Sequence, residues 1–172
     1  MAYLPYGESW LSGGADGRVF MQPLERTEAQ LILKADRVSH VLPHPRHPSM
    51  LLITRATMDD QLILLDLRQP NGESTGLTFG FPQSNNLSQY VTPSFHPEGT
   101  LVVCGRHDDG FVNVWDIRYA GLTQGPSQSI GMLDKKVLKS AFMWDSPTMV
   151  SVGTSNSMAF FDFQLEKGLA IQ

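Results

Sequence analysis

One pattern recurs four times along the chain: an apolar stretch, a tight turn rich in Asp and Gly, and a second apolar stretch of fixed length. The clearest copy spans residues 99–118. Aligning the last position of each second stretch gives intervals of 43, 50 and 46 residues, at Pro23, Asp66, Asp116 and Asp162. Seven positions before each of these come the turn residues Asp16, Asp59, Asp109 and Ser155. A repeat of this length predicts one supersecondary unit that is used four times.

Each unit fits four short antiparallel strands joined by tight turns. In the third unit we expect strands near residues 90–95, 100–105, 111–117 and 127–132, with a turn at 96–99. The segment 44–48 is expected to form the corresponding turn of the second unit. Stretches such as 62–65 are apolar at successive positions and do not alternate, which predicts a sheet that is covered on both faces.

Length and composition favour a single domain that covers residues 1–172. The chain has 172 residues, of which 41% are hydrophobic and 17% are charged, and this balance is typical of soluble globular proteins. We place the four repeat units at approximately 1–28, 29–73, 74–123 and 124–172.

Charge and cysteine content exclude several function classes. The net charge is −4 and no basic run is longer than Lys135-Lys136, so we expect no direct binding of nucleic acid. The longest aliphatic runs fall far short of the roughly 20 residues of a membrane span, so we expect no membrane partner. The N-terminal residues do not resemble a secretory signal. Cys104 is the single cysteine, and a chain without a possible internal disulfide suits a reducing compartment. We therefore expect an intracellular protein, cytoplasmic or nuclear or both.

The Trp115-Asp116 pair, the turn before it and the length of the repeat resemble the WD40-repeat family of β-propellers. The resemblance extends from about residue 9 to the last residue. Leu65-Asp66 and Phe161-Asp162 are degenerate forms of the pair, Gln22-Pro23 departs from it, and the Gly-His pair of the family is missing. The residues that carry the repeat signature are Trp115, Asp116, Asp109, Gly110, Asp16, Gly17, Asp59, Asp66 and Asp162.

This resemblance implies an all-β fold, a WD40-type β-propeller of about four four-stranded antiparallel blades. Because members of the family usually close a ring of about seven blades, we expect an incomplete arc of a larger ring. Such an arc would expose the outer faces of its end blades, such as the one that carries Phe160, Phe161 and Phe163. Self-association or completion by another chain would then follow. We expect residues 3–6 to be the stub of a strand from a missing blade.

A thiol, an imidazole and a carboxylate occur within five residues, at Cys104, His107 and Asp108. Such a set can provide a nucleophile and its base. Here Cys104 ends an expected core strand and the other two lie in the turn after it, so a hairpin and not a cleft sets their geometry. We interpret Cys104 as a buried residue beside a structural turn.

Three histidines, His40, His44 and His47, have spacings that occur in zinc sites. Prolines interleave with them and exclude a helix, and no second Cys or His cluster is present to complete the ligand set. The glycine-rich run 13–17 lacks the Lys-Ser/Thr of a phosphate loop and is interpreted as a hairpin turn. We therefore expect no metal, no cofactor and no catalytic site.

One arrangement points to a binding role. Asp66 and Arg68, and likewise Asp116 and Arg118, place an Arg two residues after the acidic residue that ends a strand. Residues two apart on a strand share a face, so we expect each Arg beside its Asp at one rim. Arginine is a preferred interface anchor and can pair with a partner's carboxylate.

The Trp-Asp-x-Arg pattern resembles the box of WD40 substrate receptors of cullin-4 RING ubiquitin ligases, in which the Arg faces the adaptor protein. The function that this implies is a non-catalytic protein-interaction scaffold that serves as such a receptor, with the cullin-4 adaptor as its partner. The alternatives are a scaffold subunit of another complex, in chromatin, RNA processing or trafficking, and, less favoured, an enzyme. A further alternative is that each Arg only pairs locally with its Asp.

Overall fold

The computed structural model describes residues 1–4, 7–68, 76–106, 108–123, 125–131 and 136–163. Within these residues the fold is all-β, with four antiparallel sheets whose strands follow one another along the chain. The first sheet contains β1 (Ala2–Leu4), β2 (Ser9–Gly13), β3 (Arg18–Pro23) and β4 (Gln30–Lys34). The second contains β5 (Val38–Pro43), β6 (Met50–Arg55), β7 (Leu62–Asp66) and β8 (Leu77–Phe79).

The third sheet contains β9 (Ser94–Phe95), β10 (Leu101–Gly105), β11 (Phe111–Asp116) and β12 (Gln128–Gly131). The fourth contains β13 (Val137–Phe142), β14 (Thr148–Gly153) and β15 (Met158–Asp162). A short helix, α1 (Ala120–Thr123), lies between β11 and β12. The described part of the chain includes no helix with the length and apolar character needed to cross a membrane.

The four sheets correspond to one another in register. In each sheet the residue that ends the third strand pairs with the residue that begins the second strand. These pairs are Ser9–Pro23, Met50–Asp66, Leu101–Asp116 and Thr148–Asp162. The positions aligned in the sequence are therefore structurally equivalent, because the register of an antiparallel hairpin is fixed along its whole length.

The turns between the second and third strands are equivalent as well. The residue after the aligned turn position has a positive φ in three of the four turns, at Gly17 (78°), Asp60 (47°) and Asn156 (57°). Glycine, Asp and Asn are the residues that adopt this conformation at least cost. Gly17 is also tightly packed, since a Cβ there would lie 1.9 Å from the carbonyl oxygen of Ala35.

The sheets stack face to face in chain order, and three apolar layers lie between them. The first layer joins the first and second sheets, the second joins the second and third sheets, and the last joins the third and fourth sheets. Side chains of the inner strands alternate between two layers: Leu51 packs toward the first sheet and Leu52 toward the third. This arrangement explains why β7 and β10 are apolar at successive positions, as both of their faces are buried.

The prediction of an all-β fold is confirmed, and two of the expected details were wrong. Tyr3 belongs to β1, which pairs with β2 as the first strand of the first sheet, so it is not the remnant of a separate blade; residues 5 and 6 lie outside the described part. In the third sheet the first strand is short, because Thr92 pairs with Lys139 of the fourth sheet and Pro93 has no backbone N–H.

The fourth sheet differs from the expectation in one further respect. Three of its four expected strands lie within the described residues, and the expected fourth strand would fall in residues 164–172, which lie outside that part. Of the three phenylalanines expected on its outer face, only Phe160 is there. Phe161 and Phe163 pack inward against the third sheet, because side chains alternate along β15 and the even-numbered positions face outward.

Candidate functional site: an arginine-bearing edge

The sheet ends at Asp66 and Asp116 lie beside the turns that precede the second strand of each sheet. Beyond β7, the backbone N–H of Leu67 donates to the carbonyl of Ser49 over 2.7 Å. Beyond β11, the N–H of Ile117 donates to the carbonyl of Thr100 over 3.0 Å. The second and third sheets therefore have the same construction at this end.

The two turns also contact each other. His44 Nδ1 accepts hydrogen bonds from the backbone N–H groups of Arg46 and His47, both over 3.0 Å, so its Nε2 carries the proton and donates to Gly99 O over 3.0 Å. Arg46 Nη2 lies 2.7 Å from Glu98 Oε1. We call this surface the arginine edge, defined by Arg68, Arg118 and the turns 44–49 and 96–100.

Arg68 is held by Asp66 in a two-pronged contact. Its Nε lies 3.0 and 3.1 Å from the two carboxylate oxygens, and its Nη2 lies 2.6 Å from Oδ2. The backbone N–H of Arg68 also donates to Asp66 Oδ1 over 3.0 Å. The carboxylate therefore fixes both the backbone turn and the guanidinium, while three-quarters of the arginine side chain stays exposed.

Arg118 repeats this geometry on the adjacent sheet. Its Nε lies 2.9 and 3.2 Å from the Asp116 oxygens, and its Nη2 lies 2.5 Å from Oδ2. Its backbone N–H donates to Asp116 Oδ1 over 3.1 Å. The guanidinium carbon also lies 5.5 Å from the ring centre of Tyr119, whose side chain is half exposed. The arginine side chain itself is 60% exposed.

The expected proximity of each Arg to its Asp is present, although its cause differs from the expected one. The strands end at Asp66 and Asp116, so Arg68 and Arg118 lie in the following turn and not on the strand. Aspartate often binds the backbone N–H two residues later. This turn, and not the two-residue period of a strand, brings each pair together.

The pairs keep their charges over a wide pH range. Hydrogen bonds from Arg68 lower the pKa of Asp66 from 3.8 to about 2. The hydrogen bond from Arg118 likewise lowers the pKa of Asp116. The carboxylates raise the pKa of both arginines. Each pair thus presents an ordered, exposed guanidinium that can donate hydrogen bonds to a carboxylate or carbonyl oxygen of a partner, or stack on a partner's aromatic ring.

The contact between the two turns was not predicted from the sequence, in which His44 was a candidate zinc ligand and was expected in a strand-end turn. His96 forms the same local turn, as its Nδ1 accepts the N–H of Glu98 over 3.1 Å. Burial lowers the pKa of both histidines, so both stay neutral at pH 7. The signal in the sequence was the repetition of His-Pro before the second strand of two units.

The other candidate groups have structural roles. Cys104 is fully buried, and burial raises the pKa of its thiol to about 12, so the thiolate required of a nucleophile is not formed near neutral pH. Asp108 accepts hydrogen bonds from the backbone N–H and hydroxyl of Ser84, and His107 lies outside the described residues. His40 Nε2 lies 3.3 Å from Thr92 Oγ1. Among the described residues no cluster of His, Cys, Asp or Glu could hold a metal ion.

Most of the repeat-signature residues shape turns or the core. Asp16 and Asp109 each accept the backbone N–H two residues later, over 3.2 Å, and Asp109 also pairs with Arg106 over 3.0 Å. Trp115 is fully buried against Phe79 and Phe81. Asp59 lies in the turn before β7, where its carbonyl oxygen accepts a hydrogen bond from the Thr57 hydroxyl over 2.7 Å. Gly110 is buried in the turn before β11, and Asp162 pairs with Thr148 at the exposed end of β15.

No protein-family model matches the chain, and a search of curated proteins finds no match either.

Proposed function

We propose that the chain is a non-catalytic protein-interaction scaffold of the WD40 β-propeller type, which docks a partner protein through the arginine edge. The observation that carries the proposal is the repetition of one contact: the same two-pronged Asp–Arg pair occurs at equivalent positions of two adjacent sheets, with both guanidiniums exposed. A rigid surface that presents two oriented arginines suits recognition of an acidic or aromatic partner surface.

The propeller architecture is supported by the stacking of the sheets. Four small antiparallel sheets that follow the chain order, pack face to face and share one register fit the blades of such a fold. The interior sheets are covered on both faces, as blades are. The closed ring or arc itself is part of the proposal.

The most specific form of the proposal is a substrate receptor of a cullin-4 RING ubiquitin ligase, with Arg68 and Arg118 facing the adaptor. The alternative is a scaffold subunit of another complex, which would use the same edge for a different partner. In both cases the pairing with Asp66 and Asp116 orients each arginine.

Affinity purification with quantitative mass spectrometry separates these cases. The charge-reversal variant Arg68→Asp/Arg118→Asp is compared with Arg18→Asp/Arg37→Asp. The latter is a matched control away from the arginine edge. Arg18 is exposed at the start of β3 and pairs with Asp16, two residues before it. Arg37 is exposed in the turn between β4 and β5, with its Nη2 3.4 Å from Gln89 Oε1. We expect the adaptor to be depleted at least tenfold with the first variant alone.

Thermal melting completes the test. Exposed ion pairs contribute little to stability, so the charge-reversal variant should melt within about 3 °C of the wild type. A much larger drop would mean that the pairs serve the fold. If no adaptor is recovered with the wild type, the receptor form is wrong, and the proteins depleted by the variant identify the other complex. If no protein is depleted, the docking proposal fails.

A further inference from the structure

The two end sheets of the stack expose positions that are buried in the other sheets, or half-buried in the single case of Met21. At the position of Trp10 in the first sheet, the other three sheets carry Leu51, Val102 and Met149, each with 0% exposure. Trp10 is 44% exposed and packs on Tyr3 at 5.1 Å between ring centres. In the other sheets this position faces the preceding sheet.

The fourth sheet exposes its opposite face, the one that in the second and third sheets packs against the following sheet. The position of Phe160 corresponds to Leu64 of the second sheet and Val114 of the third, both of which are buried against the following sheet. Phe160 is 64% exposed, and its neighbour Met158, which corresponds to the fully buried Leu62 and Val112, is 58% exposed. Val150 lies opposite Phe160 on β14 and extends the same apolar face.

The kind of partner follows from the repeat. At all three internal contacts, the face that holds the Phe160 position meets the face that holds the Trp10 position of the next sheet. One face of each kind remains uncovered in the described part of the chain, at opposite ends of the stack. A second copy of the chain supplies both missing faces. In the described part of the chain, no face packs against a face of its own kind.

We propose that the fourth sheet of one copy packs on the first sheet of a second copy, head to tail, and that two copies close on each other through two such contacts. Two copies bring together eight sheets, which is within the usual range of four to eight blades in a β-propeller. The contact between sheets rests only on the repeat, while closure rests on the propeller architecture proposed above. A head-to-tail contact that closes gives a finite ring, and one that does not gives filaments.

The test measures mass in solution for the 172-residue chain and two single variants. Multi-angle light scattering and sedimentation velocity should give the wild type twice its mass of 19.1 kDa. Trp10→Glu and Phe160→Glu should each weaken dimerisation at least tenfold, because each places a charge in both contacts. Trp144→Glu serves as the control: Trp144 is 76% exposed but lies in the turn between β13 and β14, so its variant should remain a dimer.

Mixing the two single variants tests the head-to-tail arrangement. A mixed dimer contains one copy of each variant. In one of its contacts, the unchanged fourth sheet of Trp10→Glu meets the unchanged first sheet of Phe160→Glu. The other contact carries both introduced charges. The mixture should therefore associate more strongly than either variant alone. Circular dichroism verifies that the variants fold. If the glutamate variants do not fold, the single variants Trp10→Ser and Phe160→Ser replace them.

Several results would overturn the proposal. If the wild type is monomeric at every accessible concentration, the fourth sheet does not pack on the first sheet of a second copy. If only one of the two variants loses association, two copies of the same sheet pack on each other, first on first or fourth on fourth. Filaments in place of a dimer refute closure. Because Arg68→Asp/Arg118→Asp leaves both faces intact, that variant should remain a dimer, so failure of the docking proposal and failure of this one are distinguishable.

Discussion

Replacing Gly99 with alanine should destabilise the contact between the second and third sheets at the arginine edge. Gly99 has φ of 78°, a conformation that costs an L-residue about 1 kcal/mol or more. A Cβ at this position would lie 2.1 Å from Cε1 of His44. His44 is held on both ring nitrogens by hydrogen bonds, so it cannot move aside without losing them.

The expected loss of stability is the sum of the backbone cost at residue 99 and the steric cost of its contact with His44. Overpacking a tight contact typically costs 1–3 kcal/mol, so with the backbone term we expect a loss of about 3 kcal/mol in the free energy of unfolding. For a chain of this length that corresponds to a fall in Tm of roughly 6–12 °C. Urea and thermal unfolding followed by circular dichroism measure both quantities.

A matched substitution and a double variant isolate the cause. Gly131→Ala places its Cβ no closer than 3.4 Å to the ring of Phe111 and lies at no positive φ, so it should change stability by less than about 1 kcal/mol. His44→Ala removes the ring that Gly99→Ala strikes, so the double variant should lose less than the sum of the single losses. A Tm for Gly99→Ala within 2 °C of the wild type, or strict additivity of the two losses, would show that residue 99 does not press on the His44 ring.

Three further predictions concern the core, the histidines and the thiol. Trp115→Ala should cost about 3–5 kcal/mol, because the side chain is fully buried, whereas Trp144→Ala should stay within about 0.5 kcal/mol of the wild type in the same urea titration. Burial lowers the pKa of His44, His96 and His40 below the unfolded value of 6.5. The unfolded chain therefore binds more protons than the folded chain as the pH is lowered from about 7.5 to 5.5, and the urea midpoint should fall. Substituting His44 and His96 with Asn should weaken this dependence, and His40 should account for the part that is left. Burial raises the pKa of Cys104 to about 12. A thiol reagent at neutral pH should therefore label Cys104 only as the protein unfolds. Fast labelling of the folded protein would contradict the burial of this side chain.

The features that repeat in the sequence were the ones that could be predicted. Turn residues at a constant distance of seven positions from the strand end fix the register of each hairpin, so the equivalence of Asp66, Asp116 and Asp162 followed directly. Successive apolar residues at 62–65 predicted cover on both faces, and the layers on either side of β7 provide it.

The contacts that join different repeats could not be predicted in the same way. The bond between His44 and Gly99 joins residues 55 positions apart, and nothing local in either turn specifies the distance between the sheets. The inward direction of Phe161 and Phe163 does not follow from their apolar character, which they share with Phe160, but from the alternation of side chains along β15. The turn that orients Arg68 and Arg118 depends on where the strands end, and strand ends are the least certain part of any pattern.

Direct binding of the purified cullin-4 adaptor tests whether the arginine edge docks this protein partner. Biolayer interferometry would compare the wild type, Arg68→Asp/Arg118→Asp and the matched Arg18→Asp/Arg37→Asp variant, each verified by circular dichroism. We expect the wild type and the matched variant to bind equally, and the Arg68→Asp/Arg118→Asp variant to bind at least tenfold more weakly. Equal binding by all three would contradict docking through this edge, and no binding by the wild type would contradict the receptor function.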